Sequence, residues 1–201
     1  MNTAKLGKRE LNRQNNQRAI MTAARECFSE AGFDKVTVRD IIRRTGLASG
    51  TFYNYFPDKR SIFSALIDDY MGRLNEHLAN LRGTAPELES RINSAYLAIF
   101  TTIEEDPEVY KLVHANDKIV QEIYSSGIFG KALETFENDI KNAIADGQLP
   151  DINVDYISAS FNGVGYELGF RLADRGGEPK QAAHFATKLF LGGVSALPDN
   201  S

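Results

Sequence analysis

The sequence predicts an all-α protein, with a small N-terminal helix-turn-helix head followed by a larger helical body. Three observations predict it. Apolar residues return every three or four positions along most of the 201 residues, as Ile20, Ala23, Ala24, Cys27, Phe28 and Ala31 do. Gly and Pro interrupt these runs where helices would stop, at Gly32, Gly46, Pro57, Pro86 and Gly147. No stretch alternates apolar and polar residues for the length of a strand, so the sequence is read as about nine helices.

Taken in order, residues 1 to 10 are polar and basic (Lys5, Lys8, Arg9) and read as a flexible arm. It either reaches phosphates or a minor groove, or serves as a solubilising tail. A first helix is expected from Leu11 to Ala31, stopped by Gly32 and followed by Phe33 as a hydrophobic clasp; Cys27 falls in its apolar stripe as a small core residue. Next comes TVRDIIRRTGLASGTFYNYFPDK, from Thr37 to Lys59: a short amphipathic helix, a Gly turn and a second short helix. Val38, Ile41, Ile42 and Leu47 supply the apolar contacts between the two. Phe52 and Phe56 give the second helix a buried stripe and leave Ser49, Gly50, Thr51, Tyr53, Asn54 and Tyr55 outside it or at its rim. Hydroxyls and an amide on a short exposed helix suit phosphate oxygens and base edges in a major groove.

Pro57 fits a helix start, and Lys59 to about Leu81 reads as a long helix through Phe63, Leu66, Ile67, Tyr70, Leu74 and Leu78. That helix is the mechanical link between head and body. Residues 82 to 86 read as a loop. Helices follow from Glu87 to Phe100 or a little beyond, from Val109 to His114, for a turn or two from Asp117, and from Gly130 to Ala145. Residues 154 to 174 and 179 to 197 form the last two. The organisation is therefore an arm (1–10), a helix-turn-helix domain (11–58) and a helical effector-binding and dimerisation domain (59–201).

The residues from Thr37 to Lys59 resemble the DNA-binding module of the TetR family of bacterial transcriptional regulators (TetR/AcrR type). The positions that carry the resemblance are Thr37, Ile41, Gly46, Leu47, Ala48, Gly50, Thr51, Tyr53, Tyr55, Phe56 and Lys59. Thr45 stands where a small Ala is usual, and Ala48 where a Ser often caps the recognition helix, so Ser49 becomes the candidate cap. The resemblance implies that Thr37, Tyr53, Tyr55 and Lys59 contact phosphates, while Arg39, Ser49, Thr51 and Asn54 face base edges, with Gly50 between them. For Ser49, capping and base contact stand as equal alternatives. It also implies a homodimer through the last two helices, a palindromic double-stranded DNA operator read in major grooves about 34 Å apart, and release by a small effector.

Charge points the same way. Residues 1 to 60 hold 12 Lys and Arg against 6 Asp and Glu, whereas residues 61 to 201 hold 11 against 21. DNA attracts the first segment and repels the second. No apolar run approaches the roughly 20 residues of a membrane span, the start is too polar for a signal peptide, and the single cysteine suits a reducing compartment. A cytoplasmic protein with no membrane partner is the expectation.

In the body, Gly163, Gly165, Gly192 and Gly193 interrupt the last two helices, where each costs roughly 1 kcal/mol relative to Ala. Close approach of a second subunit, with Phe161, Phe170, Phe185, Phe190 and Leu191, would repay that cost; ordinary intrachain packing is the alternative. Aromatics that suit a hydrophobic or aromatic effector are Tyr96, Phe100, Tyr124, Phe129, Phe161 and Tyr166, with His114 and Glu167 as polar anchors. The competing reading for such aromatics is core. His77, His114 and His184 lie far apart, and no HExxH, paired Cys, GxSxG or phosphate loop occurs. An enzyme is therefore the remote reading, with no catalytic residue, metal or cofactor expected. The stronger rival is a DNA-binding regulator that needs no ligand.

Overall fold

The protein is described by a computed structural model that covers residues 7–82, 87–124 and 130–194. Among the described residues there are ten helices and no strand. The chain divides into two units, Met1–Asp69 and Tyr70–Ser201. The division falls inside α4 (Lys59–Arg82).

The first unit is built on α1 (Lys8–Ala31), α2 (Val38–Thr45), α3 (Ser49–Tyr53) and the first turns of α4. Helix α1 begins at Lys8, earlier than the apolar period implied, because polar residues with good helix propensity extend it outward. Lys8, Arg9 and Glu10 thus belong to a helix and not to an arm; residues 1–6 lie outside the described residues. Gly32 ends α1 at φ +80°, a region other residues avoid, and its N–H donates to Phe28 O at 2.8 Å. Phe33 then folds back as the predicted clasp, with its ring centroid 5.4 Å from Phe28 and 4.7 Å from Phe63. Ile20, Ala24, Phe28, Ile41, Phe52 and Phe63 are almost wholly excluded from solvent and form the core of this unit.

Helix α2 is fixed at its start by Thr37, whose hydroxyl oxygen accepts from Asp40 N–H at 3.3 Å, while Asp40 Oδ2 accepts from Thr37 N–H at 2.9 Å. This reciprocal capping box satisfies two donors that the helix leaves unpaired. Gly46, left-handed at φ +66°, closes α2 and makes the turn into α3.

In the second unit, α5 (Leu88–Glu105) lies against α8 (Gly130–Ala145), α9 (Val154–Arg175) and α10 (Pro179–Val194). Its Ile92, Tyr96, Ile99, Phe100 and Ile103 are 1% exposed or less, so α5 is the central helix of the body. It runs to Glu105, and α6 (Pro107–Ala115) starts at once, two residues before the expected Val109. Asp106 explains the early start: as N-cap it accepts from Val109 N–H, and Pro107 occupies the first helical position. Asp106 is 3% exposed, and Arg73 Nη2 donates to its other oxygen at 2.9 Å, so the buried carboxylate is paired. Helix α7 (Asp117–Ile123) is the short segment expected.

Candidate functional site

Helix α3 is only five residues long, and its placement rests on two anchors. Phe52 and Phe56 are 1% and 5% exposed, with ring centroids 6.1 Å apart, which turns the opposite side of the segment to solvent. Ser49, Gly50, Tyr53 and Asn54 are exposed there, and Thr51 and Tyr55 sit half-buried at the rim. Tyr53, 58% exposed, stacks edge-on against Phe52 at 5.4 Å. Tyr55 is steadied by Asn16, whose side-chain amide donates to its hydroxyl oxygen at 3.3 Å. A Cβ on Gly50 would meet no atom of this chain within 4 Å. Thr37 and Arg39 are exposed at the first turn of α2.

One expectation changes. Ser49 is not the cap of α3: Ala48 holds the N-cap position with no side-chain hydrogen bond, and Ser49 is the first helical residue. That leaves its hydroxyl for an outside partner. The Lys59 ammonium is engaged within the chain. It donates to Phe33 O at 2.7 Å and Asp34 O at 3.3 Å and lies 4.3 Å from the Phe33 ring centroid, tying the start of α4 to the end of the α1 stop. Thr37 likewise spends its hydroxyl on Asp40, to which it donates at 2.6 Å.

Part of the positive charge of the head is locally paired. Arg44 is bound by Glu30 and Glu26, and Arg43 lies 3.9 Å from Asp40. The Asp40 carboxyl is held below the usual carboxylate range by the Thr37 hydroxyl and then by the Thr37 N–H, and Asp58 is held down the same way by Ser61. Arg39 lies on the exposed side of α2, and its charge also helps to hold the Asp40 carboxyl down.

In the body, three of the candidate effector residues are packed in the core. Tyr96, Phe100 and Phe161 are 1% exposed or less; Phe161 lies 4.0 Å from Phe136 and 4.4 Å from Tyr96 between ring centroids, and the Tyr96 hydroxyl donates to Phe161 O. These rings fill the core because α5, α8 and α9 meet there, which spacing alone could not tell from a pocket wall. His114 stacks on Tyr166 at 4.5 Å and on Phe170 at 4.2 Å, and its buried Nε2 has no hydrogen-bond partner. Burial, ahead of the Asp117 and Glu167 charges, pushes the Tyr166 phenol up to about 12. Glu167 is exposed, as a residue on the outer side of α9, and cannot anchor a buried ligand. Tyr124 is half-buried at the C-cap of α7, and Phe129 lies outside the described residues.

A cavity of about 140 Å³ opens elsewhere, between α4, α5 and α8. Leu78, Ile92, Ala95 and Phe136 make its apolar wall, and Arg91 and Asp139 its main charged groups. None of the six effector candidates among the described residues lines it. An Arg among acidic and apolar helix residues gave no sequence signal, because the wall is assembled from three separate helices, the consecutive α4 and α5 and the later α8.

The last helices present a bare face. Phe185 and Leu189 are 57% and 53% exposed on α10, one turn apart, and Gly192 and Gly193 continue the same side with nothing within 4 Å of a built Cβ. Phe161 and Phe190 instead belong to the subunit core, with centroids 6.1 Å apart, because they face α8. Gly165 and Gly169 serve intrachain approach: a Cβ on Gly169 would lie 2.6 Å from Ile103 Cδ1 and 2.9 Å from the Tyr110 hydroxyl. Among the described residues no helix is long and apolar enough to cross a membrane, and no group of three His, Cys, Asp or Glu could hold a metal ion.

Residues 20–66 match the family model described as bacterial regulatory proteins, tetR family. The chain is 30% identical over 146 residues to the HTH-type transcriptional repressor KstR2 of Rhodococcus jostii, covering 68% of this chain and 69% of that one. It is 25% identical over 115 residues to the HTH-type transcriptional repressor AcnR of Corynebacterium glutamicum, covering 57% of this chain and 54% of that protein, so it spans about half the length of such curated relatives. The solved structure of the fatty acid degradation regulator FadR from Bacillus halodurans superposes with a TM-score of 0.76 at 18% identity, over 95% of this chain and 98% of that one.

Proposed function

This chain belongs to the tetR family of bacterial regulatory proteins, and from that premise we propose that it is a ligand-responsive transcriptional repressor. It binds a palindromic operator as a homodimer in the cytoplasm and is released when a small effector enters the body. The observation that carries the DNA-binding part is α3: a five-residue helix pinned by Phe52 and Phe56, with Ser49, Tyr53 and Asn54 exposed around a glycine that no atom of the chain crowds. A helical glycine with open space over it is costly unless something outside comes close. A DNA backbone or base edge is that partner.

Within the interface, Tyr53 and Tyr55 offer hydroxyls to phosphates and set register, while Arg39 suits guanine and Asn54 suits adenine. The exposed Phe185, Leu189, Gly192 and Gly193 stripe is the face for the second subunit, and two-fold symmetry then dictates an inverted repeat. An effector releases DNA only if it binds the DNA-incompetent arrangement more tightly than the competent one, since equal affinity shifts nothing. Gel shifts on the operator and on random duplex test the assignment. Tyr53→Phe should weaken both in proportion, whereas Arg39→Ala should lose affinity for the operator and keep it for random DNA. Equal losses of operator and random DNA affinity in Arg39→Ala would overturn the base-reading role.

A further inference from the structure

We infer that Asn16 of α1 is a positioning residue for DNA binding: it holds the Tyr55 hydroxyl with its proton turned out of the chain, toward a phosphate oxygen. This rests on the proposed reading of the head as a DNA reader and adds to it a residue on another helix. From Leu11 to Ala19 every residue of α1 is exposed except Asn16, which is half-buried. Its side-chain amide donates to the Tyr55 hydroxyl oxygen at 3.3 Å, across 39 positions of sequence. Tyr55 lies at the rim of the α3 segment, beside the exposed Tyr53 and Asn54.

The chemistry of the two groups sets the direction of the proton. An amide N–H donates and never accepts, so the phenol oxygen is the acceptor in this contact. A phenol carries one proton, and that proton is therefore kept for a different acceptor. Among the described residues none takes it. A phosphate oxygen accepts hydrogen bonds from tyrosine hydroxyls and suits one whose proton is already aimed outward. Accepting from Asn16 also polarises the O–H and makes it the better donor.

Tyr53 supplies the comparison, because it offers the same hydroxyl without the tie. Its ring rests edge-on against Phe52 at 5.4 Å, it is 58% exposed, and no described residue bonds its hydroxyl. Tyr53 must give up ring and hydroxyl freedom when DNA arrives, whereas Tyr55 has given up part of that freedom on folding. Two tyrosines two positions apart thus differ in preorganisation, and Asn16 makes the difference.

Fluorescence anisotropy with the full-length protein tests this on two probes, a duplex enriched from genomic fragments and a random duplex of the same length. Tyr55→Phe should weaken both about tenfold, the range expected for a hydrogen bond to a charged acceptor. Asn16→Ala leaves the hydroxyl present but unaimed and should weaken both about threefold. Asn16→Asp turns the phenol proton inward and should cost more than Asn16→Ala, by a margin that shrinks once Tyr55 is Phe. In the Tyr55→Phe background Asn16→Ala should have no further effect, because the group it acts through is gone. Asn16→Met, also a good helix former, repeats the cycle if Asn16→Ala fails to fold.

The same threefold loss with and without the Tyr55 hydroxyl would overturn the inference, since Asn16 would then act by itself or as a prop for the head. Weakening of the enriched duplex alone would also overturn it, because a phosphate contact carries no sequence choice. Either result, with wild type still binding DNA, leaves the DNA-reading premise standing. Wild type that binds neither duplex removes the premise and the inference together.

Discussion

Replacing Lys59 by Met separates a structural tie from a phosphate ligand, because Met keeps most of the apolar stem and removes only the ammonium. In the folded head that ammonium donates at 2.7 Å to Phe33 O, donates more weakly at 3.3 Å to Asp34 O, and sits 4.3 Å from the Phe33 ring centroid. One short hydrogen bond from a charged donor is worth about 1.5–3 kcal/mol, the ring contact about 0.5–1 kcal/mol. Half-exposure of the side chain brings the sum down, and a net loss of about 2 kcal/mol is expected. With a urea slope of about 1–3 kcal/mol/M, the unfolding midpoint should fall by roughly 1 M. The second readout is the salt dependence of DNA binding. A lysine that neutralises a phosphate contributes about 0.9 to the slope of log K against log salt per contact, so an ammonium already committed to Phe33 leaves the slope of Lys59→Met unchanged. An unaltered urea midpoint together with a shallower salt slope would refute this reading and restore Lys59 as a phosphate contact.

Phe161→Ala should cost about 3–5 kcal/mol in denaturant unfolding, because the ring is fully enclosed by Phe136, Tyr96 and Phe190; a pocket-lining ring would cost far less. Thr37→Ala removes the capping hydroxyl of α2 and should lower stability by about 1 kcal/mol in urea titrations. Asp40 and Asp58 both titrate below their unfolded value of about 3.9. Their contribution is therefore complete above about pH 4 and is lost as pH falls through the lower folded values. Urea midpoints measured downward from pH 5 should drop for wild type, and less steeply for Asp40→Asn. Leu189→Asp places a charge in the exposed α10 stripe and should weaken self-association at least tenfold by sedimentation, with the helical circular dichroism signal unchanged.

The head was legible in the sequence because each of its features has a local cause. Gly32 and Gly46 stop helices by conformation, Thr37 and Asp40 cap by their spacing, and Phe52 and Phe56 lie one turn apart. The side-chain assignments there were less legible: a lysine's carbonyl partner 26 positions away leaves no pattern, so the tie from Lys59 to Phe33 O could not be read. A helix boundary failed where polar residues carried the helix outward, as at Lys8, while Asp106 and Pro107, inside the EEDPE segment that marked a helix end and the next start, set the start of α6. In the body, aromatic spacing marked the buried faces of α5 and α9 correctly, yet could not separate rings that fill a core from rings that line a space. The cavity wall depends on which residues of three separate helices meet, and Arg91, Asp139 and Ala95 carry no common local signal. The same limit divided the glycines: Gly165 accommodates Tyr96 within the chain, while Gly192 and Gly193 face outward.

The central claim is that two copies of the head, related by symmetry, read DNA through α3. Selection of genomic fragments by the purified protein at low ionic strength, followed by footprinting of the enriched duplex and determination of the stoichiometry, tests it most directly. The account predicts an inverted repeat with two protected half-sites about 34 Å apart and two chains per site. A protein that stays monomeric and enriches no fragment would contradict it.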